Sequence, residues 1–95
     1  MRVVVVPTAT PTKLVSAGGW TQFCDIYNDS DTPMRIVYDG TDPATLSVAA
    51  GSEVGVNLAP GGVVSLGASV ASWLSKDVYA LQASGDNKRV QIQEH

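Results

Sequence analysis

The stretch FCDIYNDSDTPMRIVYDG, residues 23–40, decides how the chain is read. Its first half alternates, with Phe23 and Tyr27 on one side of an extended segment and Cys24 and Ile26 on the other. That period of two marks a strand with two unlike faces. The run then breaks into Asn28-Asp29-Ser30-Asp31-Thr32-Pro33, residues whose side chains bond nearby backbone in turns. Met34 to Tyr38 resumes as a second strand, and Asp39-Gly40 closes it with a pair that tolerates positive φ. Two strands joined by a polar loop of about five residues predict a hairpin or a link between two sheets.

Working outward, the same punctuation recurs along the chain. The strand that ends at Asn28 extends back to Trp20. Before it, Val3 to Val6 is stopped by Pro7 and Pro11, and Lys13 to Ala17 by Gly18-Gly19. After it, Asp42-Pro43 opens a loop, Leu46 to Ala49 reads as a brief strand, and Gly51-Ser52 separates that from Val54 to Leu58. In APGG, residues 59–62, Pro60 presets φ for the first corner of a turn and Gly61 supplies the positive φ that a type II turn needs at the second. Val63 to Leu66 leaves the turn as a strand. Val78 to Ala83 and Val90 to Ile92 follow, on either side of the turn residues Ser84-Gly85-Asp86-Asn87. The one helical spacing lies in Gly67 to Ser75, where Val70, Trp73 and Leu74 share a face over at most two turns. Val, Ile and Thr together number 24, against two Glu and three Lys, a balance that favours extended structure. The expectation is an all-β fold, a small antiparallel β-sandwich or β-barrel of about seven or eight short strands, with at most one short helix near residues 68–75.

A length of 95 residues predicts a single β domain over residues 1–95, with residues 1–12 as an N-terminal arm or an edge strand. A core of this size has little stability to spare, so association with other chains is expected. Only 16% of residues are charged and the net charge is -3, and no basic cluster exceeds Lys88-Arg89. Nucleic-acid binding therefore lacks its electrostatic footprint. No window is apolar for long enough to span a membrane, and the apolar run Val3 to Val6 is too short for a secretory signal. The lone Cys24 excludes an internal disulfide and reads as a small buried side chain.

The residues offer no chemistry of their own. His95 is the single histidine and the last residue, so neither a Ser-His-Asp arrangement nor a Cys-His pair can be assembled, and zinc lacks its usual ligands. Asp29-Ser30-Asp31 resembles the start of a calcium loop, but the glycine at the sixth position and the glutamate at the twelfth do not follow. Turn and capping duty is the expectation for these acids. Pro60-Gly61-Gly62 runs into strand-like Val63-Val64 and not into a helix, so it reverses the chain and cradles no phosphate. No metal, cofactor or catalytic residue is expected. Six large rings, Trp20, Phe23, Tyr27, Tyr38, Trp73 and Tyr79, either fill the core or leave one or two outside for contact with protein or sugar. Trp73 is the candidate for an interfacial ring, because the pattern does not fix its segment.

The order FCDIYNDSDTPMRIVYDG, LAPGG, DVYALQASG and RVQIQE resembles a group of small β proteins encoded beside the head genes of tailed bacteriophages. The similarity covers Trp20 to Glu94. This chain departs from the pattern in a longer passage between Asp39 and Leu58 and in an Ala/Ser-rich piece before Asp77. The resemblance implies a non-enzymatic virion protein, made in the host cytoplasm. It would sit on the capsid surface as a decoration or cement protein bound to the major capsid protein, as a homo-oligomer with a trimer favoured. It brings no catalytic residues. Within that expectation Arg2, Val3, Val4 and Val5 would pair with a neighbour, since an exposed apolar edge strand needs cover, with Trp73 as a further contact. The alternative is a carbohydrate- or receptor-binding module that stacks exposed rings on its ligand.

Overall fold

The computed structural model describes residues 2–16, 23–38, 55–67 and 77–94. These form eight strands: β1 (Arg2–Val6), β2 (Thr12–Val15), β3 (Phe23–Asn28), β4 (Met34–Val37), β5 (Val56–Leu58), β6 (Val63–Gly67), β7 (Val78–Leu81) and β8 (Lys88–Glu94). They build two four-stranded sheets, sheet A in the order β1-β8-β3-β6 and sheet B in the order β2-β7-β4-β5.

The pairing follows a simple rule. β1 pairs with β8, β2 with β7, β3 with β6 and β4 with β5, all antiparallel. This is the pattern of one long hairpin with its tip between β4 and β5. The hairpin is rolled up so that β3 also lies against β8 and β4 against β7. The result is a double-sheet jelly roll. Four links, β1 to β2, β3 to β4, β5 to β6 and β7 to β8, carry the chain between strands at matching positions in the two sheets.

Alternation fills the space between the sheets. Val6, Cys24, Ile26, Val90 and Ile92 point inward from sheet A, and Met34, Ile36, Val78 and Ala80 meet them from sheet B. On β2 the register shifts between Lys13 and Val15. The bulge lets the consecutive residues Leu14 and Val15 both enter the core, which strict alternation forbids.

The links themselves are held by two buried amides. Asn28, fully buried at the end of β3, donates from Nδ2 to the carbonyl of Leu58 at 3.0 Å and to that of Thr32 at 2.8 Å. Its Oδ1 accepts from Ser30 Oγ. Its backbone binds the turn between β5 and β6: Asn28 N donates to Gly62 O and Gly61 N to Asn28 O, each at 2.9 Å. All four links lie at one end of the sandwich, and this one residue satisfies two of them. Gln82, also buried, does the same for the other two. Its Nε2 donates to Val6 O at 2.9 Å and to Asp86 O at 2.8 Å, its Oε1 accepts from Ser84 N, and its own carbonyl accepts from Ala9 N. Among the described residues no buried side-chain polar atom is left without a partner.

Several sequence expectations are met and some shift. Gly61 has φ +77° and Gly62 N donates to Ala59 O at 2.8 Å, so residues 59–62 form the expected turn. Gly67, expected to begin the helical segment, is the last residue of β6. Gln82 and Ala83, expected within a strand, lie beyond β7, because the Gln82 amide is taken by the link. The brief strand at Leu46 to Ala49 and the short helix near 68–75 lie outside the described residues.

Substitutions at Asn28 and at two glycines test this packing. Replacing Asn28 by Ala strands the Leu58 and Thr32 carbonyls and is expected to cost roughly 2–4 kcal/mol in urea denaturation. Asn28→Asp is expected to cost more at pH 7 than at pH 4, since a carboxylate cannot donate to either carbonyl and a protonated acid can donate to one. At Gly55, φ is +79° and an added Cβ would lie 2.2 Å from Ile36 O, whereas at Gly61 the same atom meets nothing. Gly55→Ala is therefore expected to destabilise by roughly 2–4 kcal/mol and Gly61→Ala by only about 1 kcal/mol, read from the same denaturation curves.

Candidate interaction face

In sheet A the residues that do not enter the core are Val3 and Val5 on β1, Arg89, Gln91 and Gln93 on β8, Asp25 and Tyr27 on β3, and Val63 and Ser65 on β6. Among the described residues four large apolar side chains are exposed: Val3 (55%), Val5 (49%), Tyr27 (37%) and Val63 (56%). All four lie on this one face. Val3 is opposite Gln91, Gln91 opposite Tyr27, and Tyr27 opposite Val63, so three of them share a single row across all four strands. Val5 stands two residues from Val3 on the same side of β1, opposite Arg89.

The outer face of sheet B differs. There Val37 and Leu81 also point away from the space between the sheets, yet they are buried to 1% and 2%. Among the described residues the bare apolar surface is therefore on sheet A.

Charged groups frame this face. Asp29 Oδ2 accepts from Gln91 Nε2 at 2.9 Å and pairs with Arg89 at 3.1 Å. Asp31 pairs with Lys88 at 2.7 Å. The two acids that sequence alone could set in a calcium loop are thus each drawn to a basic residue of β8. The hydrogen bond from Lys88 holds the Asp31 carboxyl below its ordinary range, and the same contact raises the Lys88 ammonium. Among the described residues no three His, Cys, Asp or Glu side chains converge.

The sequence-derived contact residues separate. Val3 and Val5 face outward. Val4 turns inward and packs against the core, because adjacent strand residues take opposite faces. Arg2 also takes the inner side, where its Nη2 donates to Leu14 O at 2.6 Å and pairs with Glu94. It ties β1 to β2 across the open side of the sandwich and lines a shallow depression of about 230 Å³ with Ile92, Gln93 and Glu94. Arg2 and Val4 thus serve the chain's own packing. Trp73 lies outside the described residues. Tyr27, one of the six rings that the sequence leaves open between core and contact, and Val63, which the sequence does not single out, join Val3 and Val5 on the exposed face. Each is on the outer alternation of its strand, but only the β3–β6 register sets them side by side.

Cys24 lies beneath this face with no exposed surface. Burial, with Glu94 and Asp25 adding to it, pushes its thiol up to about 11. The thiol is therefore protonated at neutral pH and is a poor nucleophile.

Comparison of the chain with protein-family models, with curated proteins and with solved structures returns no match.

Cys24 yields a prediction with a definite sign. Its proton is held more tightly in the folded state than in the unfolded state, where the ordinary value is 9.0. The stability this represents is complete below pH 9 and is lost as pH rises towards 11, a change on the order of 2–3 kcal/mol. Relative to Cys24→Ala, the wild-type chain is expected to lose stability over that window in urea titrations. At pH 7.5 iodoacetamide is expected to label Cys24 only after unfolding.

Proposed function

We propose that the protein is a non-enzymatic structural component of a tailed-phage particle, a decoration or cement protein that binds the major capsid protein through the outer face of sheet A. The observation that carries this reading is the row Val3-Gln91-Tyr27-Val63 with Val5 beside it. Single exposed apolar side chains are ordinary. Four on one face of one sheet, while Val37 and Leu81 on the outer side of the other sheet are buried, form a patch with a use. Exposed apolar side chains on either side of Gln91, with Asp29 and Arg89 close by, have the mixed composition of a protein–protein interface. The strand-and-turn order that resembles phage head-associated proteins supports the same reading. Jelly rolls serve as viral coat domains and as lectins, so the fold is compatible with the assignment without making it.

The two amide corners fit a cement role. They stiffen the end of the sandwich at which these four links lie, which leaves less ordering to oppose binding.

Tyr27 favours a second reading. Its half-exposed ring stands directly beside the Gln91 amide, which is itself held by Asp29. A ring with amide and carboxylate neighbours suits stacking on a sugar with hydrogen bonds to its hydroxyls.

Co-sedimentation with a panel of undecorated tailed-phage heads tests the proposal. The wild-type chain is expected to bind, and Tyr27→Asp combined with Val63→Asp to weaken binding about tenfold or more. Asn57→Asp, exposed on sheet B, is expected to leave binding unchanged. No binding to any head, or binding indifferent to the double variant, overturns the assignment. Glycan-array binding lost on Tyr27→Ala would establish the second reading in its place.

A further inference from the structure

A sheet of this kind ends in edge strands, and the four in this fold are not equivalent. β2 carries a bulge and the exposed Lys13, both of which discourage pairing with another chain. β5 has only three residues. β6 has five but ends in Gly67 and presents Ser65 between its outward positions. β1 is five residues of RVVVV with no bulge and no proline, and among the described residues β8 is its only partner strand. Two of its valines are about half exposed.

We propose that the free edge of β1 pairs antiparallel with β1 of a second copy of this chain, on a twofold axis through Val4, to make one continuous eight-stranded sheet. The strand is self-complementary in that register. Val3 stands opposite Val5 of the second copy, Val5 opposite Val3, and Val4 opposite Val4. Outward residues therefore meet outward residues and core-facing residues meet core-facing ones, as the pleat requires. Val3 and Val5 of both copies close into a single apolar cluster, whereas the same operation on β6 would set Val63 opposite Gly67 and gain little.

Charge does not oppose the arrangement. The two Arg89 side chains lie on strands three spacings apart, roughly 14 Å, beyond the Debye length of about 8 Å at physiological ionic strength. Arg2 is directed to Leu14 O and Glu94 of its own chain. Pro7 limits the pairing to β1, because it cannot donate to a ladder.

The axis stands perpendicular to the sheet, so both outer faces point the same way. The row Val63-Tyr27-Gln91-Val3 of one copy then continues into Val5 and Arg89 of the other, and the adhesive face is doubled. A closed pair of this kind is twofold, in contrast to the trimer that the phage resemblance implies. The pairing needs no coat protein, so its failure is distinguishable from failure of the capsid reading.

Sedimentation equilibrium on the full chain is expected to show a mass that rises with concentration to twice the monomer and no further. Val3→Lys with Val5→Lys is expected to halve that mass while the far-ultraviolet spectrum keeps its β signature. A second measurement reads the register. An equimolar mixture of Val3→Cys and Val5→Cys chains is expected to form disulfide-linked dimers under mild oxidation, with each variant alone giving few, because like positions are offset by two residues and exceed disulfide reach. Buried Cys24 does not compete. A monomer at every concentration, a threefold mass, an open-ended series of larger species, or single variants that cross-link as well as the mixture would each overturn the proposal.

Discussion

The structure depends on how a chain crosses between two sheets without leaving backbone polar groups dry. At each crossing the ladder stops, and its last carbonyls and amides would be buried with no partner. Asn28 and Gln82 solve this with the one kind of side chain that donates twice and accepts at its far end. Asn28 joins the end of β3, the loop to β4, the end of β5 and the turn into β6. Gln82 joins β1, the link to β2 and the link to β8. An aliphatic residue at either place would fill the volume and leave the carbonyls unpaired. A charged one would have to surrender its hydration.

With that end fixed, the two faces of each strand acquire separate duties. The inner alternation of sheet A packs on sheet B and makes the core. The outer alternation of sheet B is covered, since Val37 and Leu81 are buried without belonging to the inter-sheet cluster. Among the described residues the outer alternation of sheet A leaves Val3, Val5, Tyr27 and Val63 exposed among polar neighbours. This asymmetry is what gives the molecule a direction. Among the described residues it has one side with exposed large apolar groups, bounded by the edge strand β1 and bordered by the Asp29–Arg89 and Asp31–Lys88 ion pairs. Those exposed pairs add little to stability. They do hold the Asp29–Thr32 loop against β8, which keeps the border of the face in place.

Much of the fold was legible before the structure. Val3 to Val6, Phe23 to Asn28, Met34 to Tyr38 and Val63 to Leu66 announce strands by residue type, and Pro60-Gly61 announces its turn by backbone chemistry alone. The contact face was only half legible. Arg2 to Val5 reads as one apolar segment with a basic end, but the pleat divides it into Val3 and Val5 outside and Val4 and Arg2 inside. Tyr27 and Val63 lie 36 positions apart in the chain, and nothing local says that they are neighbours. The bulge that sends both Leu14 and Val15 inward leaves no mark in the sequence, because Lys13-Leu14-Val15 reads equally well as plain alternation.

The sequence by itself determined what is local: the β character of the runs and where the chain must turn. These follow from sterics and side-chain chemistry within a few residues. Only the tertiary structure decided which strands pair, that the pairing rolls a long hairpin into a jelly roll, that two amides close one end of it, and that the exposed valines and Tyr27 share one face. Register is a property of two strands at once, and it is fixed by the burial and hydrogen bonding of residues far apart in the chain.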